Sequence, residues 1–259
     1  MPEFVDTHCH LNLDQFASDC ELVISQAMAV GVKSIIIPGV DIQTSQAAID
    51  LAEKYDGVYA AIGFHPSEAN NATPKELSRL KKMASAPKVV AVGEIGLDFY
   101  HDSNPSEGMQ KETFLAQLSM AYELDLPVIL HSREALPQVM RILNTSKTIG
   151  GVFHAFEGDV KAANQAVSMG FMIGIGGPVT YTNAIDKQIL ARECPIESIV
   201  LETDAPYLAP KPHRQVRNQP AWLPIIAEKV AELRQESVEF IAQQTSQNAR
   251  ILFLRSKAS

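Results

Sequence analysis

Apolar residues fall into two kinds of segment that alternate along the chain. Runs at 4–7, 34–37, 58–62, 88–92, 127–130, 151–153, 171–175 and 198–201 are short and mostly continuous. They are too brief for helices and too apolar for strands with one face in water, so they read as strands of a parallel sheet buried on both faces. Helical spacing is expected over 19–30, where Leu22, Val23, Ala27 and Val30 precede a stop at Gly31, and over 44–55, 74–84, 108–124, 134–143 and 159–169. Pro137 suits the 134–143 helix only in its first turn. Two further helices, 221–234 and 238–254, close the chain. Strand–helix alternation on this scale, eight times in 259 residues, matches a (β/α)8 TIM barrel of the α/β class with an extra C-terminal helix.

Composition adds bounds to this picture. With 46% hydrophobic and 20% charged residues there is material for one large core. No stretch approaches the roughly 18 apolar residues of a membrane span. No linker or repeat divides the chain, so residues 1–259 are read as one domain. The segment Met1-Pro2-Glu3-Phe4-Val5-Asp6 lacks the basic and apolar regions of a secretory signal, and Cys9, Cys20 and Cys194 form no CxxC pair. Free thiols in a reducing compartment, the cytoplasm, are expected. A net charge of −8 works against non-specific nucleic-acid binding, which rests on Lys and Arg neutralising phosphates, so any such contact has to be local. No membrane partner is expected, and a monomer is favoured although no residue pattern marks the oligomeric state.

Candidate chemistry sits at the strand ends, where parallel α/β folds collect their ligands. Glu94 follows the 88–92 run, flanked by Gly93 and Gly96, which let the backbone turn. His8 and His10 follow the first run. Two apart on an extended segment, they face the same way and can share one metal while Cys9 points to the opposite face and packs. His65 follows the third run, His131 the fifth, His154 the sixth and Asp204 the eighth. Gly174, Gly176 and Gly177 end the seventh and suggest a tight wall beside a substrate. Each residue alone has a plain reading: a salt-bridged Glu94, a satisfied loop histidine at His65, a surface pair at His8 and His10. Together, His8, His10, Glu94, His131, His154 and Asp204 fall at one barrel end and supply nitrogen and oxygen ligands for two divalent ions. A metal site is the better account of the set. Glu94 could place one oxygen on each ion at the roughly 3.5–4 Å separation of two-metal hydrolytic sites. Imidazole with carboxylate suits Zn²⁺, Mn²⁺, Ni²⁺ and Co²⁺, and Mg²⁺ less well.

Several motifs carry a family resemblance over nearly the whole chain: Val5-Asp6-Thr7-His8-Cys9-His10-Leu11, Gly63-Phe64-His65-Pro66, Val92-Gly93-Glu94-Ile95-Gly96-Leu97-Asp98-Phe99-Tyr100, Pro127-Val128-Ile129-Leu130-His131-Ser132-Arg133, Gly174-Ile175-Gly176-Gly177 and Leu201-Glu202-Thr203-Asp204-Ala205-Pro206-Tyr207-Leu208. The sequence resembles the TatD family of metal-dependent deoxyribonucleases within the amidohydrolase superfamily, in particular its YjjV-like branch. It departs from the family at His154-Ala155-Phe156-Glu157-Gly158, which lacks a small cysteine and serine, and at Pro178, which replaces a threonine.

The resemblance implies one metal held by His8, His10, Glu94 and Asp204 and a second held by Glu94, His131 and His154. Such ions lower the pKa of bound water from 15.7 to about 7, and Asp204 would take its proton as base and ligand at once. His65, Arg133 and the loop bearing Lys211, Arg214 and Arg217 are expected to contact phosphate, arginine being suited to a bidentate grip. Arg133 is equally suited to pair with Glu157 or Asp98. The substrate implied is DNA or another phosphodiester, with preference for an end of a single strand, because a site among loops admits a terminal linkage more readily than a stacked interior one. Two other classes compete. Amide, ester or lactone hydrolysis uses the same barrel elsewhere in the superfamily, although many of those relatives bridge their metals with a carboxylated lysine where this chain offers Glu94. A non-catalytic metal-binding protein would instead close its coordination sphere.

Overall fold

Each strand of the sheet pairs in parallel with the next one along the chain. The computed structural model describes residues 2–254; Met1 and residues 255–259 lie outside the described residues. The strands are β1 (Phe4–Asp6), β2 (Val32–Pro38), β3 (Val58–Ile62), β4 (Val89–Asp98), β5 (Val128–Arg133), β6 (Gly151–Phe153), β7 (Phe171–Ile175) and β8 (Ile199–Leu201). Around them run α1 (Cys20–Ala29), α2 (Ile42–Lys54), α3 (Pro74–Met83), α4 (Glu107–Glu123), α5 (Leu136–Thr145), α6 (Val160–Ser168), α7 (Ile185–Glu193), α8 (Leu223–Arg234) and α9 (Val238–Phe253). This is the TIM barrel with an added C-terminal helix. Side chains of Asp41, Thr73, Ser106, Asp159 and Ser237 cap the free N–H groups of α2, α3, α4, α6 and α9. Pro137 lies in the first turn of α5, where its missing N–H costs nothing.

The ring closes between the first and last strands. Thr7 N donates to Leu201 O (3.1 Å), Asp204 N to His8 O (2.8 Å) and His10 N to Ala205 O (2.7 Å). Asp6, wholly buried, fastens the seam. Its carboxylate accepts from Thr203 N (2.9 Å), Thr203 Oγ1 (2.6 Å) and His8 N (3.3 Å). Burial pushes this carboxyl up to about 7, against the pull of the Thr203 hydrogen bonds.

Alternation along the strands makes two apolar layers, which is why the strand runs are continuous. Ile35 and Ile37 pack outward with residues of the surrounding helices. Ile36 points the other way and joins Val5, Ala61, Ala91, Ile129, Val152 and Val200 inside the ring, with Ala249, Leu252 and Phe253 of α9 packed onto them.

Two features differ from the pattern-based expectation. β4 does not stop at Val92; it continues through Glu94 to Asp98, with an irregular step against β5 between Val92 and Ile95. Glycines and a carboxylate interrupt the apolar run without ending the pairing. Gly96, at φ 146°, sits opposite His131, and a Cβ there would lie 1.9 Å from His131 O. Only glycine lets these strands approach. α7 is the second difference. Of its residues only Leu190 and Ala191 are buried, so it shows almost no apolar stripe.

Candidate metal centre and active site

The six expected ligands converge inside the mouth of the barrel, and the two oxygens of Glu94 face different partners. Oε2 lies 3.3 Å from His8 Nε2 and 3.6 Å from His10 Nε2. Oε1 lies 2.7 Å from His131 Nδ1 and 4.0 Å from His154 Nε2. Asp204 Oδ1 completes the cluster at 3.8 Å from His8 Nε2 and 3.7 Å from both His10 Nε2 and His154 Nε2. The Nε2 atoms of His8 and His10 are 3.0 Å apart, and the rings of His8 and His154 stack at 3.5 Å. Strand geometry accounts for much of this. His131 and His154 stand two residues beyond Ile129 and Val152 on the inward face of their strands.

Electrostatics bind the cluster into charged pairs. Burial opposes ionisation of Glu94, but His8 and His131 outweigh it and hold the carboxyl well below its usual range. Burial lowers His131, yet hydrogen bonds to Asp98 and Glu94 raise it to about 9. His154, also opposed by burial, is raised to about 10 by Glu202 and Asp204. His10 falls well below its usual value because burial and His8 both oppose its charge. Burial pushes Asp204 up to about 6. Imidazole nitrogens packed this closely, with carboxylate oxygens facing them from two sides and the Nδ1 atoms of His8 and His10 buried without partners, fit a divalent cation by the chemistry of the donor set.

A second tier of acids holds the first. Asp98 Oδ2 is 3.0 Å from His131 Nε2. Four residues from Glu94 on an extended strand, it shares that residue's face. Glu202 Oε1 is 3.0 Å from His154 Nδ1 and accepts from Ala155 N at 2.7 Å. Two residues before Asp204, Glu202 was legible in principle from extended-chain alternation. Buried amides on α4 then fix the loops. Gln117 exchanges hydrogen bonds with both backbone groups of Phe64, beside His65, and Gln110 does so with Asp98.

The expected substrate contacts divide. His65 and Arg133 line a cavity of about 750 Å³ that also holds His10, Glu94, His131, His154 and Asp204. The His65 ring meets His131 edge-on at 4.4 Å, and its Nδ1 is 2.8 Å from Ser67 Oγ. Burial and His131 lower His65 to about 4. Lys211, Arg214 and Arg217 do not line the cavity, and other contacts explain their placement. Arg217 grips Asp19 with two N–H groups (2.9 and 2.6 Å), Arg214 lies over Tyr181 at 4.1 Å, and Lys211 Nζ donates to Thr182 Oγ1 at 3.2 Å. Arg133 pairs with neither Glu157 nor Asp98 but lies over Tyr100. Glu157 instead accepts from Ser132 Oγ and from the N–H groups of Glu134, Ala135 and Leu136, capping the entry to α5. The seventh-strand glycines do not line that cavity either. A Cβ on Gly174 would lie 2.4 Å from Glu202 Oε2 and one on Gly177 would lie 1.9 Å from Leu208 O, so they make room for the protein's own atoms.

Known proteins share this architecture. The family model described as TatD related DNase matches residues 5–254. The metal-dependent hydrolase YabD of Bacillus subtilis is 40% identical over 250 residues, covering 96% of this chain and 98% of its own. The 3'-5' ssDNA/RNA exonuclease TatD of Salmonella typhimurium is 36% identical over 257 residues, covering 96% and 98%. Among solved structures, the TatD homolog YjjV from Escherichia coli K12 superposes with a TM-score of 0.91 at 35% identity over 98% of both chains. With ligand-bearing motifs spread from β1 to β8 and this likeness extending over almost every residue, the chain belongs to the TatD related DNase family of metal-dependent hydrolases.

Proposed function

We propose that this protein is a metal-dependent phosphodiesterase that removes nucleotides from the ends of single-stranded DNA, with two divalent ions held by His8, His10, Glu94, His131, His154 and Asp204. The observation that carries the reading is the division of Glu94, whose two oxygens face separate sets of histidines. Bound there, divalent ions would acidify a water molecule and neutralise charge on a phosphoryl oxygen. Asp204 accepts the proton of the attacking water. Its Oδ1, 3.7 Å from both His10 Nε2 and His154 Nε2, is placed within the cluster to do so. Arg133 is placed to hold a substrate phosphate, being exposed at the cavity. Asp98 and Glu202 orient His131 and His154.

The single-strand substrate is supported by the likeness to the Salmonella exonuclease, whose name gives single-stranded DNA and RNA. Among the described residues no lysine lines the cavity, which weighs against a carboxylated-lysine bridge and hence against amide, ester or lactone chemistry. A cytoplasmic location suits the three free cysteines, and among the described residues no helix is long and apolar enough to cross a membrane. The test is a turnover screen of metal-loaded protein against linear and circular single strands of equal length, duplex DNA, RNA, and amide and lactone panels. Cleavage of linear strands well above circular ones is expected. Equal rates on both would remove the end preference, and turnover confined to the amide or lactone panel would replace the phosphodiesterase reading.

A further inference from the structure

Tyr207 lines the cavity, and Tyr100, which does not, contacts Arg133, which does. Tyr207 and Leu208, beyond β8, line the cavity and are 50% and 39% exposed. The Tyr207 ring centroid stands 6.2 Å from that of His10. Tyr100, beyond β4, is also 50% exposed. The guanidinium of Arg133 lies 3.7 Å over its ring, and His101 meets the ring edge-on at 4.7 Å. Arg133, His101 and Asn104 bring this layer into the cavity wall. In a closed ring of strands in sequence order, β4 and β8 lie diametrically opposed. The two aromatic surfaces therefore flank the carboxylate and imidazole cluster from opposite rims.

Charge makes these surfaces matter. The chain carries a net −8, and the basic residues at 211–217 are engaged away from the cavity, so phosphate contacts can supply little of the affinity for a nucleic acid. Arg133 makes no ion pair among the described residues, which leaves its plane free to act as stacking surface and cation together. Exposed rings of this kind bind the π-face that every nucleobase offers, with little regard to sequence.

We propose that Tyr207 on one rim and the Tyr100–Arg133 layer on the other are nucleobase-stacking platforms that hold two unstacked bases of a single strand, one on each side of the scissile phosphodiester. The proposal rests on the phosphodiesterase reading above and extends it to how the substrate is chosen. A duplex keeps its bases stacked on one another and cannot use both platforms. A strand with abasic positions beside the cleaved linkage loses the contact altogether.

The experiment is fluorescence titration of the full-length, metal-loaded protein with a short single strand carrying 2-aminopurine at its last two positions, joined by methylphosphonate linkages that resist cleavage. Stacking quenches 2-aminopurine. Tyr207→Leu and Tyr100→Leu are each expected to weaken binding by about 5- to 140-fold, the range that one base–aromatic stack contributes, and to lose the quenching, while Tyr207→Phe and Tyr100→Phe retain both. Circular dichroism melts establish that the leucine variants are folded. Leucine variants that bind and quench like the wild type would overturn the proposal. Wild-type turnover of methyl 4-nitrophenyl phosphate, which has no nucleobase, decides the phosphodiesterase reading separately. Quenching by the wild type that is lost with leucine supports the platforms whichever way that second assay falls.

Discussion

Two levels of the barrel interior, separated by two residues on the same strands, have opposite chemistry. Ile129, Val152 and Val200 form an apolar plug with Val5, Ile36, Ala61 and Ala91. One step up each strand on the same face stand the partly buried His131, paired with Glu94 and Asp98, and the buried His154 and Glu202, paired with each other. The lower level stabilises the fold by removing apolar area from water, about 25 cal/mol per Å². The upper level is costly to bury, and charge pairing offsets that cost without turning it into much net stability. Placing the costly level directly on the apolar one gives the ligands a rigid floor.

Substitutions at the two levels should therefore fail in different ways, and the largest effect belongs to Glu94. Glu94→Gln should bring turnover down by more than the roughly 10²–10⁴-fold attributed to general-base catalysis, because it removes the group both sets of histidines share. Metal analysis of the purified variant should show less than the wild-type complement, and full occupancy would contradict the bridging role. Asp204→Asn should lose that 10²–10⁴-fold itself while the protein remains folded. A variant that keeps both ions and near-normal turnover would take Asp204 out of the base role.

One level below, Ile129→Ala should cost about 2–5 kcal/mol of stability, as expected for a large-to-small change in a packed core. Its kcat per folded molecule should stay near wild type. Denaturant unfolding and active-site titration on the same sample separate the two quantities, and a collapse of kcat without loss of stability would show that the levels are not distinct. At the rim, Arg133→Ala should raise KM more than it lowers kcat and reduce the slope of log K against log salt by about 0.7, the value for one phosphate on a single strand. Arg214→Ala and Arg217→Ala should leave the slope in place, since their side chains are engaged elsewhere.

The smallest effect lies outside both levels. Hydrogen bonds from Arg217 hold the exposed Asp19 carboxyl below its usual value. A depressed acid contributes stability that is present above its unfolded pKa of about 3.9 and is lost as pH falls through the lower folded value. Thermal melts of wild type and Asp19→Asn should differ slightly at pH 7 and converge below about pH 3.9. A difference that persists at low pH would assign the contact to packing over Phe16 rather than to charge.

Most of the barrel was legible because a parallel sheet buried on both faces writes its strands as short apolar runs, and because six ligands at strand ends are improbable without a common purpose. What escaped detection shares a physical cause. α7 exposes Ile185 and buries only Leu190 and Ala191, so its periodicity is nearly silent. β4 reads as ending at Gly93 because the chain trades apolar side chains for glycines where Ile129 and His131 of β5 come close. Asp6 and Tyr207 act through partners distant in sequence. The basic loop at 211–217 is visible in the sequence as charge, whereas the pairing of its Arg217 with Asp19 is not.

The seam fastened by Asp6 and Thr203 spans 197 residues of sequence, and it fixes when the site can first exist. His8 and His10 precede Asp204 by about 195 residues and are therefore synthesised first. At synthesis rates of roughly 5–20 residues per second, the histidines wait about 10–40 s for their carboxylate. On the metal-dependent reading proposed above, a partly made chain would display two imidazoles without the acid that completes their site, and hydrolytic activity would begin only once the first and last strands had met.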